Sequence, residues 1–218
     1  MTQLDCDAIL FDLDGVLIDS STCITRHWRK WAQQHGLDLA AIMGVAHGMR
    51  TVETMRLVAP HLDVEAERVR FTAAEVADTD GVVQIPGASE LLRMVPAEAW
   101  AVVTSASEDL ARARMKRAGL PLPHLFVTAD EVQKGKPAPE PYLVAAERLG
   151  LATDRCVVLE DSPAGIEAAQ AAGMRVVAIT TTHQRDELPK GLPVIDHLSA
   201  FRIENVSEAG RRLVIQLG

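Results

Sequence analysis

Five short apolar runs punctuate the chain, and each ends in polar residues. They are Ala8–Phe11 before Asp12, Ala101–Val103 before Thr104, Phe126–Val127 before Thr128, Val157–Leu159 before Glu160, and Val176–Ile179 before Thr180. Apolar runs of this length without polar alternation suit strands buried on both faces of a parallel sheet. Between most of them the pattern changes to that of a helix. Ser107–Ala118 opens with a capping residue and two acids, closes with bases, and stops at Gly119. Pro139–Leu149 and Pro163–Ala172 start on proline and stop at Gly150 and Gly173. This alternation predicts right-handed βαβ units, and hence a doubly wound, Rossmann-like α/β fold with a parallel sheet.

The rhythm fails between Asp12 and Ala101, where no strand pattern occurs before Val82–Ile85. Ser20–His35, Thr51–Val58 and Val64–Ala77 read as amphipathic helices, with Trp28 and Trp31 on one stripe. A structureless loop of that length does not suit a compact domain. Residues 17–83 are therefore expected to form an inserted helical-bundle cap. Residues 1–16 and 84–218 are expected to form the α/β core, rejoined through Gly87–Val95. No internal repeat or low-complexity tract is present.

Composition narrows the class without naming a chemistry. The 218 residues carry 30 acidic and 22 basic side chains, a net charge of −8, and an ordinary hydrophobic share of 48%. That length allows one domain with an insertion, and a core that needs no staples. Acidity with only 4% aromatics disfavours nucleic acid as a partner, since that calls for a basic face and stacking rings. No apolar run approaches the ~20 residues that span a bilayer, and the opening residues lack a secretory pattern. Cys6, Cys23 and Cys156 are odd in number and far apart, so they read as reduced core or surface thiols of a cytoplasmic protein.

Candidate chemistry gathers at the strand ends, where open α/β sheets bind ligands. Asp12-Leu13-Asp14-Gly15 offers two carboxylates that either aim into one pocket or cap the next helix. Thr104-Ser105-Ala106-Ser107 offers hydroxyls and N–H groups at a helix start, a phosphate cradle or plain capping. Lys136, in Lys134-Gly135-Lys136-Pro137, enters a helix start against the dipole, which calls for an anion; Lys134 reads as a solvated loop residue. Glu160-Asp161 pairs two acids at a strand end, as oxygen-ligated Mg²⁺ requires. Each signal alone is weak. Together they are coherent: carboxylates converging on a phosphate would repel it unless a divalent cation and a lysine offset their charge.

Asp12-Leu-Asp14-Gly-Val, Val103-Thr104-Ser105, Gly135-Lys136-Pro137 and Leu159-Glu160-Asp161-Ser-Pro-Ala-Gly-Ile resemble the four motifs of the haloacid dehalogenase superfamily. The resemblance spans roughly residues 7–182, and the helical insertion is similar to that family's cap. Three stretches are most similar to its glycerol-phosphate and 2-deoxyglucose-6-phosphate phosphatases. They are Ala46–Thr51, Trp100–Ser107 and Val127–Tyr142.

The resemblance implies a Mg²⁺-dependent phosphatase acting on a small phosphate ester, with Asp12 as nucleophile and Asp14 as general acid and base. It implies phosphate binding by Lys136 and by Thr104 or Ser105, between which the sequence does not choose. Metal ligation is implied for Asp12, the Asp14 backbone carbonyl and Asp161, with Glu160 close by. The cap is expected to shield the site, with Arg50 as leaving-group contact, or else a solvated surface arginine, and His47 as a further contact or an interhelical hydrogen-bonding residue. A monomer is expected.

Three other readings fit less well. The related sugar phosphomutases carry a cap histidine about twelve residues after the nucleophile, plus a cap lysine. Here Ile24 takes that place, and no lysine lies between Lys30 and Lys116. A phospho-accepting signalling domain is shorter, has no cap, and places its acceptor well downstream of the acid pair. A non-catalytic relative is disfavoured because no motif position is missing.

Overall fold

In the computed structural model, which describes residues 2–206 and 212–218, the chain opens with strands β1 (Thr2–Cys6), β2 (Ala8–Phe11) and β3 (Ile18–Asp19). Four helices follow: α1 (Ser21–His35), α2 (Leu39–Ala46), α3 (Thr51–Val58) and α4 (Val64–Ala77). Next come β4 (Val83–Gln84), α5 (Ala88–Met94), β5 (Trp100–Val103), α6 (Glu108–Ala118) and β6 (Phe126–Val127). The second half runs α7 (Glu140–Leu149), β7 (Cys156–Glu160), α8 (Pro163–Ala171), β8 (Arg175–Ile179) and β9 (Val194–Ile195). It closes with β10 (Phe201–Val206) and β11 (Leu213–Leu217).

Six strands form one wholly parallel sheet in the order β6-β5-β2-β7-β8-β9. The chain winds outward from β2 through β5 to β6, then returns to the other side of β2 for β7, β8 and β9. The carboxyl end of β2 is thus the switch point where a crevice forms. Period two explains the sandwich. Ile9, Phe11, Val102 and Leu159 face one layer with Leu91, Leu92 and Met115 of α5 and α6. Leu10, Val103 and Val158 face the other, with Tyr142, Ala145 and Ile166 of α7 and α8.

Local signals place the helices. Ser107 Oγ accepts the Leu110 N–H, and Gly119 ends α6 in the left-handed conformation. Helices α1–α4 build a third core of their own around Trp28, Trp31, Ile42, Met55 and Phe71. The chain enters this bundle at β3 and leaves it at β4, which pair antiparallel.

Three features differ from the sequence expectation. The strand expected at Val82–Ile85 is two residues long and pairs only with β3, outside the main sheet. Leu39–Ala46 is a helix that the pattern missed, because its side chains are small or apolar throughout; Asp38 caps it by accepting the Ala40 N–H. A separate antiparallel sheet, β1-β11-β10, packs Ile203, Leu213, Ile215 and Leu217 into the α5 layer. All three cysteines are buried free thiols, so the core reading applies to each.

Candidate active site

Strand β2 carries Asp12 to the carboxyl edge of the sheet, and a tight turn brings Asp14 to the same cavity. Gly15 permits that turn. It takes φ +90°, and a Cβ there would run into the Asp161 carboxylate. The cavity, of about 330 Å³, is lined from the core by Asp12, Asp14, Thr104, Ser105 and Asp161. Trp28, His47 and Thr51 line it from the helical bundle.

Behind Asp12 lies Lys136, 1% exposed. Its ammonium donates to Asp12 Oδ1 (2.5 Å), Glu160 Oε1 (2.7 Å) and the Val103 carbonyl (3.0 Å). Glu160 is fully engaged. Its Oε1 also accepts from the Tyr142 hydroxyl, and its Oε2 accepts from the Asp161 and Ser162 N–H groups and the Ser162 hydroxyl. Gly165 is required beside it, because a Cβ there would collide with the Glu160 carboxylate.

Asp12, Glu160 and Asp161 each bring a carboxylate oxygen to within 4.8 Å of the others, all three buried. Burial, and then the charges of Glu160 and Asp12, push Asp161 well above the usual carboxylate range. Burial likewise raises Asp12, Glu160 adds to the shift, and Lys136 opposes it. Burial also works against charge on Glu160, but Lys136 and its hydrogen bonds hold it below the usual value. Lys136 supplies a single positive charge against three carboxylates. An all-oxygen cluster with excess negative charge is the donor set that a hard divalent cation fits.

The hydroxyls expected to cradle phosphate follow β5, and Lys136 lies in the loop after β6. Thr104 Oγ1 accepts the Ala106 N–H (3.1 Å), while the Ser105 hydroxyl donates to the Gly48 carbonyl (2.7 Å), tying the core to the helical bundle. His47 faces the His183 ring at 5.7 Å, and burial followed by His183 lowers its proton affinity.

Arg50 lies beside the cavity and outside its lining. Its neighbours Gly48, Met49 and Thr51 line the cavity, but Arg50 does not. Its guanidinium donates to the carbonyls of Val132 (3.1 Å) and Gln133 (2.9 Å), and pairs with Glu53 (2.5 Å). It clasps α3 to the loop that carries Lys136. Lys134 is exposed, as a solvated loop residue should be.

A family model for haloacid dehalogenase-like hydrolases matches residues 6–173. The chain belongs to this family. The hydrolase is 43% identical over 179 residues to hexitol phosphatase A of Escherichia coli strain K12, across 80% of this chain and 83% of that one. It is 37% identical over 207 residues to glycerol-1-phosphate phosphohydrolase 2 of Saccharomyces cerevisiae, across 88% and 82%. Among solved structures it resembles a hydrolase from Pseudomonas syringae, with a TM-score of 0.77 and 26% identity across 88% and 94%.

Four parts of this hydrolase's site had no role in the sequence reading. Ser20 stands where it would cap α1, yet its hydroxyl donates to Asp14 Oδ1 (2.5 Å) instead. After β8, the Thr181 hydroxyl donates to the Gly15 carbonyl and the Thr182 hydroxyl to Asp161. Arg114 of α6 and Glu75 of α4 also line the cavity. The hydroxyl run Thr180-Thr181-Thr182 at a strand end was the available signal for the second of these. Arg114 shares a helix face with the buried Leu110, Ala111 and Met115, which was the signal for the third.

Proposed function

We propose that the protein is a phosphatase of small polyol and sugar phosphate monoesters that works through an aspartyl-phosphate on Asp12. One observation carries the reading: a single cavity gathers Asp12, Asp14, Thr104, Ser105 and Asp161 from three strand ends beneath residues of the helical bundle. The bacterial relative's name as a hexitol phosphatase and the yeast relative's as a glycerol-1-phosphate phosphohydrolase support the substrate class.

The Asp12 carboxylate attacks phosphorus while the bond to the leaving oxygen breaks, and Asp14 gives that oxygen a proton. Asp14 then takes a proton from the water that attacks the aspartyl-phosphate, which releases phosphate and restores Asp12. Lys136, already bonded to Asp12 Oδ1, keeps a positive charge beside the transferring group. The Thr104 hydroxyl, whose oxygen accepts from Ala106, keeps its proton to donate to a phosphoryl oxygen. Ser105 binds through its position at the helix start, since its hydroxyl proton is engaged on Gly48.

Mg²⁺ suits the acidic cluster, with Asp12, Asp161 and the Asp14 carbonyl as ligands; when bound it would neutralise charge on the phosphoryl oxygens. Both oxygens of Glu160 are occupied by donors, which supports a role in holding Lys136 rather than the metal. Residues 17–83 act as a cap over residues 1–16 and 84–218, with their separate core around Trp28 and Phe71 as support.

We read the protein as a cytoplasmic monomer with no nucleic-acid partner, in keeping with its reduced buried thiols and acidity. Among the described residues no helix is long and apolar enough to cross a membrane.

The test is phosphate release with Mg²⁺ from glycerol, hexitol, hexose and nucleotide monophosphates, run beside an assay of glucose-phosphate isomerisation. The expected result is turnover of polyol and sugar esters, no isomerisation, and loss of all turnover in Asp12→Asn. Release confined to nucleotides, isomerase activity, or turnover by Asp12→Asn would each overturn the reading.

A further inference from the structure

Arg114 is 3% exposed and reaches from α6 to two acids. Its Nη1 donates to both oxygens of Asp14, at 3.0 Å each, and its Nη2 donates to Glu75 Oε1 at 2.8 Å. Glu75 comes from α4 of the helical bundle and is also 3% exposed. The side chain assigned the proton transfers is thus held by one guanidinium nitrogen, and the other nitrogen is anchored on the helical bundle.

The arrangement is poorly explained as a stability device. Among the described residues, Arg114 Nε and Glu75 Oε2 are buried without hydrogen-bond partners. Each such atom has lost its water without gaining a partner, a net cost to the fold. A buried ion pair is often no better for stability than apolar residues of the same volume. Departures of this kind from a well-satisfied interior gather at functional sites.

The geometry fits a positioning task. A carboxylate on a short side chain beside a glycine turn has two rotatable bonds, and a proton transfer tolerates only a narrow range of distances and angles. Three contacts fix it, two from Arg114 and one from Ser20.

We propose that Arg114 is a positioning residue for the general acid and base Asp14, and that Glu75 is the anchor that holds Arg114. This rests on the phosphatase reading above. Arg114 exchanges no proton itself. It holds Asp14 where its proton passes to the leaving oxygen as that bond breaks, and where it later receives a proton from water.

A purely structural arginine would affect all substrates alike, whereas one acting through Asp14 matters most when the leaving oxygen needs a proton. The experiment compares Arg114→Met, Arg114→Lys and Glu75→Ala with wild type on glycerol 1-phosphate and on p-nitrophenyl phosphate, whose leaving group departs as a stable anion. General acid–base catalysis contributes roughly 10²–10⁴-fold. For Arg114→Met, the loss of kcat/KM on glycerol 1-phosphate should exceed the loss on p-nitrophenyl phosphate at least tenfold. Arg114→Lys should recover part of it, and Glu75→Ala should show a weaker loss of the same kind.

Equal losses on the two esters would overturn the proposal while leaving the phosphatase reading in place. Should Arg114→Met fail to fold, Glu75→Ala, in which Asp14 keeps its arginine, decides by the same comparison. Wild-type turnover of p-nitrophenyl phosphate without turnover of any polyol or sugar phosphate would instead overturn the polyol and sugar phosphate reading of the site.

Discussion

Lys136 places its ammonium 2.5 Å from Asp12 Oδ1, and both groups are buried. Burial alone would strip the lysine of its proton, but the charges of Asp12 and Glu160 reverse that and raise its proton affinity well above the ordinary value. The lysine and the carboxylates therefore need one another. Removing the cation should cost more than removing any one neighbour.

Lys136→Met tests that dependence. It leaves Asp12, Glu160 and Asp161 buried with no compensating charge. Breaking a buried pair in this way costs about 3–5 kcal/mol. Urea unfolding should show a loss of that order, and phosphate release should fall to background. Wild-type stability in the variant would mean that the carboxylates take up protons without strain.

The acidic cluster predicts a metal-dependent stability. Asp161 is held neutral-leaning by burial and by its two acidic neighbours, and a divalent cation reverses that preference. A ligand present at 100 times its Kd stabilises the folded state by about 2.7 kcal/mol. Thermal unfolding with and without millimolar Mg²⁺ should show a clear rise in Tm for wild type, and much less for Asp161→Asn. An equal rise in both proteins would place the ion elsewhere.

Arg50 donates to the Val132 and Gln133 carbonyls, across the junction between the helical bundle and the Lys136 loop. Hydrogen bonds from a charged donor are each worth about 1.5–3 kcal/mol. Arg50→Ala should therefore speed hydrogen exchange in residues 132–135 and lower kcat/KM by a similar factor for every ester. A loss confined to one leaving group would return Arg50 to substrate recognition.

Strand ends proved far more legible than side-chain reach. Ala8–Phe11 and Val157–Leu159 are apolar on both faces because both faces of their sheet are covered, so their pattern exposed Asp12, Glu160 and Asp161. Strand β1 is different. Thr2, Gln3 and Asp5 look like a polar leader, and only pairing with β11, Thr2 against Leu217, makes them a strand. The two arginines show the same limit. Arg50 sits in a motif and points out of the cavity, while Arg114 sits in an ordinary helix and points into it. A guanidinium lies so far from its backbone that chain position says little about its target. Helical phase says more: Arg114 and Glu75 each sit on a buried stripe, the latter one turn after Phe71.

Glu75 supplies a prediction in pH. Burial raises its pKa to about 7, with Asp14 adding to the shift and Arg114 opposing it. In the unfolded chain a glutamate titrates near 4.3. Between those values the folded protein binds this proton more tightly than the unfolded chain does. The group's contribution to stability is therefore complete below about pH 4 and is lost as the pH rises through about 7. Glu75→Gln cannot titrate, so it lacks that loss. The absolute stability of the variant reflects the altered contact with Arg114 and is a separate matter. The difference between the two proteins should shift in the variant's favour as pH goes from 5 to 8, by up to about 3 kcal/mol. Urea unfolding at pH 5, 6, 7 and 8 measures it. A difference that stays flat across that range would show that Arg114 holds Glu75 ionised throughout, and that the pair resists burial by charge alone.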